Sequence, residues 1–286
     1  MQGVCSSALL RAMDFKNQII GVMRFSYPAK DGFARSLWPE EKLEAHLFDH
    51  DRMMMRFRYL EAITLPSLIG QTDKDFKLVI LAGQSMQPRF KNRLREIGAQ
   101  HDFIKCLFFP SMGGAGSSKR AFRRAIDEGT THVTGFRIDD DDAVACDYIA
   151  KTRALADKVI AGGLADRPYA IAFSKGVYWD LNDPDEPFHE FREPQPLGLA
   201  CAMITTAEME TSIYRYNHRR LCCHVPTYMD PDDFMFMRTL HQTNDSGRKI
   251  PPHAVKLPAD KGLRLMEKRF SINVPEAMAL MPEPPA

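Results

Sequence analysis

Apolar positions along the chain fall into two kinds of run, and the order of those runs predicts an architecture. Gln18-Ile19-Ile20-Gly21-Val22-Met23-Arg24-Phe25 is almost continuously apolar, which suits a strand covered on both faces. Phe76-Lys77-Leu78-Val79-Ile80-Leu81-Ala82-Gly83 repeats that pattern, as does Phe103-Ile104-Lys105-Cys106-Leu107-Phe108-Phe109, which Pro110 ends. Between the first two, residues 30–51 are mixed and charged and predict a loop with at most one short helix. Over 52–69 the positions Met55, Tyr59, Ala62, Ile63 and Leu65 recur near helical spacing until Pro66, where the helix is expected to kink or restart. A helix over 88–97 opens with proline, as first helical turns often do. Ser111-Met112-Gly113-Gly114-Ala115-Gly116-Ser117-Ser118 predicts a flexible turn whose serines cap a helix over 119–128. Thr131-His132-Val133-Thr134-Gly135, after a turn at Gly129, is a fourth strand. Strand and helix alternate, which predicts an α/β fold with a mostly parallel sheet flanked by helices.

Beyond residue 146 the rhythm changes. A helix over 147–160 is followed by strands at 169–174, 176–179 and 199–205. The segment 182–196, rich in proline and acids, predicts an exposed connection. A basic amphipathic helix is expected over 207–221, a short helix over 233–241, and polar turns at Asn244-Asp245-Ser246-Gly247. No repeat is visible. One domain over 17–275 is expected, in two halves (17–146 and 147–275), with a loose leader at 1–16 and a Pro-rich tail at 276–286.

Composition narrows the class. The chain has 286 residues, 44% hydrophobic and 26% charged, and 38 basic against 37 acidic residues leave a formal charge of +1. That balance excludes a general nucleic-acid binder. No apolar stretch approaches the roughly 20 residues of a membrane span, which leaves only peripheral membrane contact open. The six cysteines show no metal-ligand spacing, so reduced thiols in a cytoplasmic protein are expected. Cys222-Cys223 beside His224 is a weak metal signal.

The chemistry concentrates where the fourth strand ends, at Phe136-Arg137-Ile138-Asp139-Asp140-Asp141-Asp142-Ala143-Val144. Four successive carboxylates repel one another unless a cation holds them together. A hard divalent ion such as Mg²⁺ or Mn²⁺ takes oxygen ligands and keeps positions open for phosphate. The alternative is a solvated turn. Carboxylates one residue apart on a strand end share a side, so either Asp139 with Asp141 or Asp140 with Asp142 could surround one ion. Upstream, glycines let backbone N–H groups approach phosphate, a helix start adds a favourable dipole, and Lys119 and Arg120 add charge.

The series Gly113-Gly114-Ala115-Gly116-Ser117-Ser118-Lys119-Arg120, then 125–129, then Phe136-Arg137-Ile138-Asp139-Asp140-Asp141 resembles the nucleotide-sugar half of GT-A glycosyltransferases. Gly21-Val22-Met23-Arg24-Phe25-Ser26, Phe57-Arg58-Tyr59-Leu60 and Phe76-Lys77-Leu78-Val79-Ile80 make the bacterial rhamnosyltransferases the nearest likeness, over about residues 17–275. The resemblance implies a GT-A-like, Rossmann-type mixed sheet and a sugar moved from a nucleotide-sugar donor to a saccharide acceptor, with inversion. It implies Mn²⁺ or Mg²⁺ on an Asp-x-Asp motif, with Asp141 ligating directly and Asp139 at the ribose or through water. His241, like His224, is a candidate third ligand. Arg24, Ser26, Gln84, Gly114, Lys119, Arg120, Asp139 and Asp140 fall on the donor side. Gln84 stands where many such enzymes carry an acid for the base, so the nucleotide stays open.

An inverting transferase also needs a base for the acceptor hydroxyl. Met229-Asp230-Pro231-Asp232-Asp233-Phe234-Met235-Phe236-Met237-Arg238 resembles the Glu-Asp element that opens a late helix in such enzymes, with Asp233 as base and Asp232 as its partner. An ordinary helix cap is the alternative. Tyr178 and Trp179 could form an acceptor platform or pack in the core. A nucleotidyltransferase is the competing enzyme class, although Phe25-Ser26-Tyr27-Pro28 lacks its Gly-rich turn. A non-catalytic binder of nucleotide sugars is the third reading.

Overall fold

The computed structural model of the chain describes residues 15–208, 211–244 and 249–281. The leader over 1–14, the end of the tail, and Asp245-Ser246-Gly247 lie outside the described residues. Four strands with the expected apolar runs form first: β1 (Asn17–Arg24), β2 (Phe76–Gly83), β3 (Ile104–Phe109) and β4 (His132–Arg137). They lie side by side and parallel in the order β3-β2-β1-β4. β9 (Cys201–Thr206) continues the sheet antiparallel to β4, and β6 (Tyr169–Phe173) and β10 (Thr227–Asp230) complete its seven strands. This mixed, mostly parallel sheet flanked by helices is the α/β arrangement expected.

Alternate residues of the central strands serve two cores. Ile19, Met23, Leu78 and Ile80 join the larger cluster, and Ile20, Val22, Val79 and Leu81 join the smaller one on the other face. Double burial is why β1 and β2 are apolar throughout rather than alternating. The packing over β1 is close enough that a Cβ on Gly21 would run into the Phe136 ring of β4. Gly21→Ala should therefore destabilise the protein by about 1–3 kcal/mol through overpacking. A urea midpoint unchanged in that variant would show that the two strands separate more easily than their contact suggests.

A second sheet of five strands crosses the mouth of the acid turn. Its order is β12-β8-β7-β11-β5, from β12 (Val255–Lys256), β8 (Phe188–Arg192), β7 (Lys175–Asp180), β11 (Phe236–Leu240) and β5 (Ala143–Val144). Two expectations fail here. The segment 182–196 is not wholly an exposed connection, because β8 runs through it with Phe188 buried against Trp179. The segment 233–241 holds a strand, β11 over Phe236–Leu240, not a helix, because β11 pairs with β7 on one side and β5 on the other. Tertiary pairing overrides the helix-start look of Pro231-Asp232-Asp233.

The helices differ in similar ways. Residues 30–51 contain α1 (Glu40–Leu47) and the start of α2 (His50–Tyr59), which Asp49 caps by accepting from the Arg52 N–H. The chain stays helical through Pro66. The disturbance comes earlier, as a π-turn over Leu60–Thr64 before α3 (Leu65–Ile69), whose first turn accommodates the proline. After α4 (Pro88–Ala99) the serine-glycine stretch is a loop only as far as Gly113: α5 spans Gly114–Arg123, so Ser117 and Ser118 are buried within it rather than capping it. After α6 (Tyr148–Ala161), 207–221 holds short 3₁₀ turns at Ile213–Arg215 and His218–Cys223 in place of an amphipathic helix. Residues 276–280 of the expected tail are helical, in α8 (Val274–Leu280), which follows α7 (Ala259–Phe270) and is capped by Asn273. Among the described residues no helix is long and apolar enough to cross a membrane.

Candidate active site

The acids do not continue β4. They follow it as a turn closed by the Asp142 N–H donating to the Asp139 carbonyl at 3.4 Å. Turning the chain there splits the four by direction. Asp139, Asp141 and Asp142 line a cavity of about 810 Å³, and Asp140 turns into the protein and is fully buried. The cavity lies at the C-terminal ends of the parallel strands, where open α/β sheets place their ligands. Its size suits a small-molecule or cofactor site.

Three elements hold the turn. Thr64, within the π-turn, donates its hydroxyl to the Asp142 carbonyl at 2.8 Å, and Thr239 of β11 donates to the Asp141 carbonyl at 2.6 Å. Extra backbone loops of this π kind often occur beside functional sites. The third is Arg56 of α2, whose Nε donates to Asp140 at 2.6 Å and whose Nη1 reaches Asp141 at 3.3 Å; its Nη2 also pairs with Asp140. One guanidinium thus bridges two buried carboxylates, which could not both stay charged without it. Burial alone would raise Asp141, but Arg56 and the His241 hydrogen bond hold its carboxyl below the usual range. Asp142 goes the other way, raised by burial and then by the charge of Asp141.

The pairing of β11 with β5 explains the next contact. β5 begins directly after Asp142 and runs antiparallel to β11, so the residues past the end of β11 fold back over the acid turn. His241 arrives there, a hundred residues on in the chain. Its Nε2 lies 3.0 Å from Asp141 Oδ2, its ring stacks on Tyr59 at 4.3 Å, and its Nδ1 lies 2.8 Å from the Thr243 hydroxyl. Asn244 donates to the same Asp141 oxygen at 3.3 Å. Burial, with the Asp141 charge behind it, pushes the Tyr59 hydroxyl up to about 12, so this ring stays neutral.

Asp141 and His241 are the pair here that could hold part of a divalent cation's shell. A buried carboxylate and a buried imidazole converge through an Nε2–H to Asp141 hydrogen bond, and moving that proton to Nδ1, beside the Thr243 hydroxyl, would free the Nε2 lone pair for metal. A mixed N/O donor pair suits Mn²⁺ better than an all-oxygen ion such as Mg²⁺. Asp139, the third residue expected from sequence, is exposed in the same cavity. Among the described residues no three His, Cys, Asp or Glu side chains already stand at ligand spacing.

The rest of the lining is cationic. Arg24, Arg52, Arg56, Arg137, Arg219, Arg238 and Lys249 face it, against the carboxylates Asp139, Asp141, Asp142 and Glu193. An anionic ligand is what such a wall attracts. Of the donor residues expected from sequence, Arg24 and Ser26 line the cavity; Ser26 accepts from Arg52 at 2.9 Å, and Arg24 lies over the Tyr214 ring.

Other expected residues are placed elsewhere. Gln84 is exposed and outside the cavity, with its carbonyl accepting from Lys91. Lys119 lies mid-helix beside a second, much smaller cavity, and Arg120 packs over Phe109. The helix start meant for phosphate is already used: the Gly114 N–H donates to Asp31 Oδ1 at 2.8 Å, and the glycines leave room for Asp31 and Arg24. Asp232 and Asp233 are exposed in the turn before β11, outside the cavity lining, and the helix on which their role rested does not form. Asp233 pairs with Lys151, whose hydrogen bond holds it below the usual carboxylate range. Tyr178 lines the cavity, but Trp179, next along β7, points into the core. His224 stacks on Tyr216 at 5.4 Å. Arg56, Arg137, Arg238 and Glu193 have no signature in sequence beyond their charge.

A family model described as "Putative rhamnosyl transferase" matches residues 18–253. No curated protein matches the chain. Among solved structures, residues 1–349 of S. aureus TarS in complex with UDP-GlcNAc align at 12% identity and a TM-score of 0.45, over 82% of this chain and 62% of that one. GalNAc-T7 with UDP, GalNAc and Mn²⁺ aligns at 13% identity and a TM-score of 0.39, over 87% and 48%. The chain thus spans less than two thirds of the length of either.

Proposed function

The chain belongs to the rhamnosyl transferase family, and from that premise we propose that it moves a sugar, rhamnose by the family's label, from a nucleotide-sugar donor to a hydroxyl of a saccharide acceptor, with inversion. The observation that carries this reading is the contact of buried His241 with Asp141, at 3.0 Å, where Asp141 enters a cavity walled by arginines. A nucleoside diphosphate is the leaving group that such a wall suits.

Asp139, Asp141 and His241 would hold Mn²⁺ or Mg²⁺. When bound, the ion would neutralise the charge that builds on the departing diphosphate. The protein's own part is positioning. Arg56 keeps Asp141 ionised, Thr64 and Thr239 fix the turn, and Tyr59 fixes the imidazole plane. Arg24 and Arg137, at the ends of β1 and β4, face the cavity where the diphosphate would lie. Both also sit over the Tyr214 ring, which limits their movement.

The test is transfer itself. The protein is incubated with UDP-, dTDP- and GDP-sugars, Mn²⁺ and a panel of saccharides, and products are read by mass. The expected result is one added deoxyhexose or hexose on one acceptor class, with release of the nucleoside diphosphate. Formation of a nucleotide sugar from a sugar phosphate and a nucleoside triphosphate would instead support a nucleotidyltransferase. Tight nucleotide-sugar binding with no product from any acceptor would support a non-catalytic binder.

A further inference from the structure

Transfer to a hydroxyl requires a base that opens into the donor's cavity, and Asp232 and Asp233 do not line it. Among the described residues four carboxylates do. Three belong to the acid turn, on the donor side. The fourth, Glu193, enters from the second sheet, one residue past the end of β8 and directly before Pro194. Its side chain is 2% exposed, so the cavity is its outlet.

Glu193 is held in place from three sides. Its N–H donates to the Ser174 carbonyl at 2.7 Å, Tyr178 donates its hydroxyl to Oε1, and Arg219 donates Nη1 to Oε2 at 3.2 Å. A carboxylate offers about four lone-pair sites, so each oxygen keeps one after these contacts. Arg238 links this wall to the donor side: it lies over the Tyr178 ring at 5.9 Å, and its charge is stabilised by Asp142 and then by Tyr178. Glu193 thus stands one side chain beyond the acid turn, on the wall where an acceptor sugar would meet the aromatic faces of Tyr178 and Phe191.

We propose that Glu193 is the general base of the transfer, a role that rests on the glycosyltransferase reading above. The acceptor hydroxyl oxygen forms a bond to the anomeric carbon as the bond from that carbon to the phosphate oxygen breaks. The electron pair of the broken bond leaves with the nucleoside diphosphate. The hydroxyl proton passes to Glu193, which later returns it to water. Tyr178 and Arg219 are positioning residues that fix the carboxylate toward the acceptor.

The test uses the full chain with Mn²⁺ and the nucleotide sugar and saccharide that support turnover. Glu193→Gln should bind the nucleoside diphosphate as the wild type does, while kcat falls by about 10²–10⁴-fold. Glu193→Asp, which keeps the charge but shortens its reach, should fall between the two with an unchanged donor KM. Turnover of Glu193→Gln at the wild-type rate would overturn the base assignment and leave the transferase reading intact. Equal losses of nucleotide affinity and rate in both variants would make Glu193 structural. A wild type that binds no nucleotide sugar would overturn the transferase reading, and the base assignment with it.

Discussion

Asp141→Asn should abolish Mn²⁺-dependent binding of a nucleoside diphosphate while leaving the protein folded. Asp141 is where the carboxylate, the imidazole of His241 and the cavity meet, and its oxygen is the one that both Asn244 and Arg56 also address. The asparagine amide can still accept from these donors, so packing changes little. What disappears is the charge. Outer-shell residues at metal sites typically cost 10–100-fold when removed, so loss of a direct ligand should cost at least about 100-fold. Calorimetric titration with Mn²⁺ and a nucleoside diphosphate reads this directly. Asp142→Asn should have a smaller effect, because the Asp142 carboxylate is raised and its Oδ1 faces the Thr239 N–H. The reverse order of severity would place the ion one residue further along the turn.

Arg56→Met should produce the largest loss of stability of any single substitution at the site. Its guanidinium is 12% exposed and compensates Asp140, fully buried, and Asp141 together. Breaking a buried ion pair by removing one partner typically costs about 3–5 kcal/mol, because the remaining charge has no water to return to. For a domain of this size that corresponds to a fall in Tm on the order of 10 °C. Adding Asp140→Asn to the same chain should recover part of the loss, since one of the two stranded charges is then gone. A melting temperature within a degree or two of wild type would mean that water or another cation already serves these carboxylates.

The parts of this molecule visible in its sequence share a physical reason. β1 to β4 are buried on both faces, so their apolar runs are unbroken and their identity needs no knowledge of neighbours. The acid turn is visible because four carboxylates cannot be placed together by packing alone. Elements of the second sheet were harder to see. β11 carries Phe236-Met237-Arg238-Thr239-Leu240 behind Pro231-Asp232-Asp233, a start that suits a helix equally well, and only pairing with β5 and β7 decides for a strand. Phe188 and its neighbours in β8 sit among prolines and acids, so the burial of Phe188 against Trp179 depends on a strand that precedes it in the chain.

The site divides along the same line. His241 was a candidate by residue type, and the fold makes it Asp141's neighbour. Arg56 could not be found from sequence, since a basic residue on a helix is usually solvated and its partners lie 84 and 85 positions away. Lys119 and Arg120 were misleading for the converse reason. A basic pair after glycines suggests phosphate, but the glycines are themselves helical and move the pair to the middle of α5, with Asp31 at its start.

The claim at the centre of this account is that the arginine-walled cavity holds the diphosphate of a nucleotide sugar beside Asp141 and His241. Titration calorimetry of the wild-type protein with UDP, dTDP and GDP, each with Mn²⁺ and again with the ion chelated, tests it most directly. The account predicts that one of the three binds saturably at one site per chain and loses most of its affinity when Mn²⁺ is removed. Saturable binding by none of them in the presence of Mn²⁺ would contradict it.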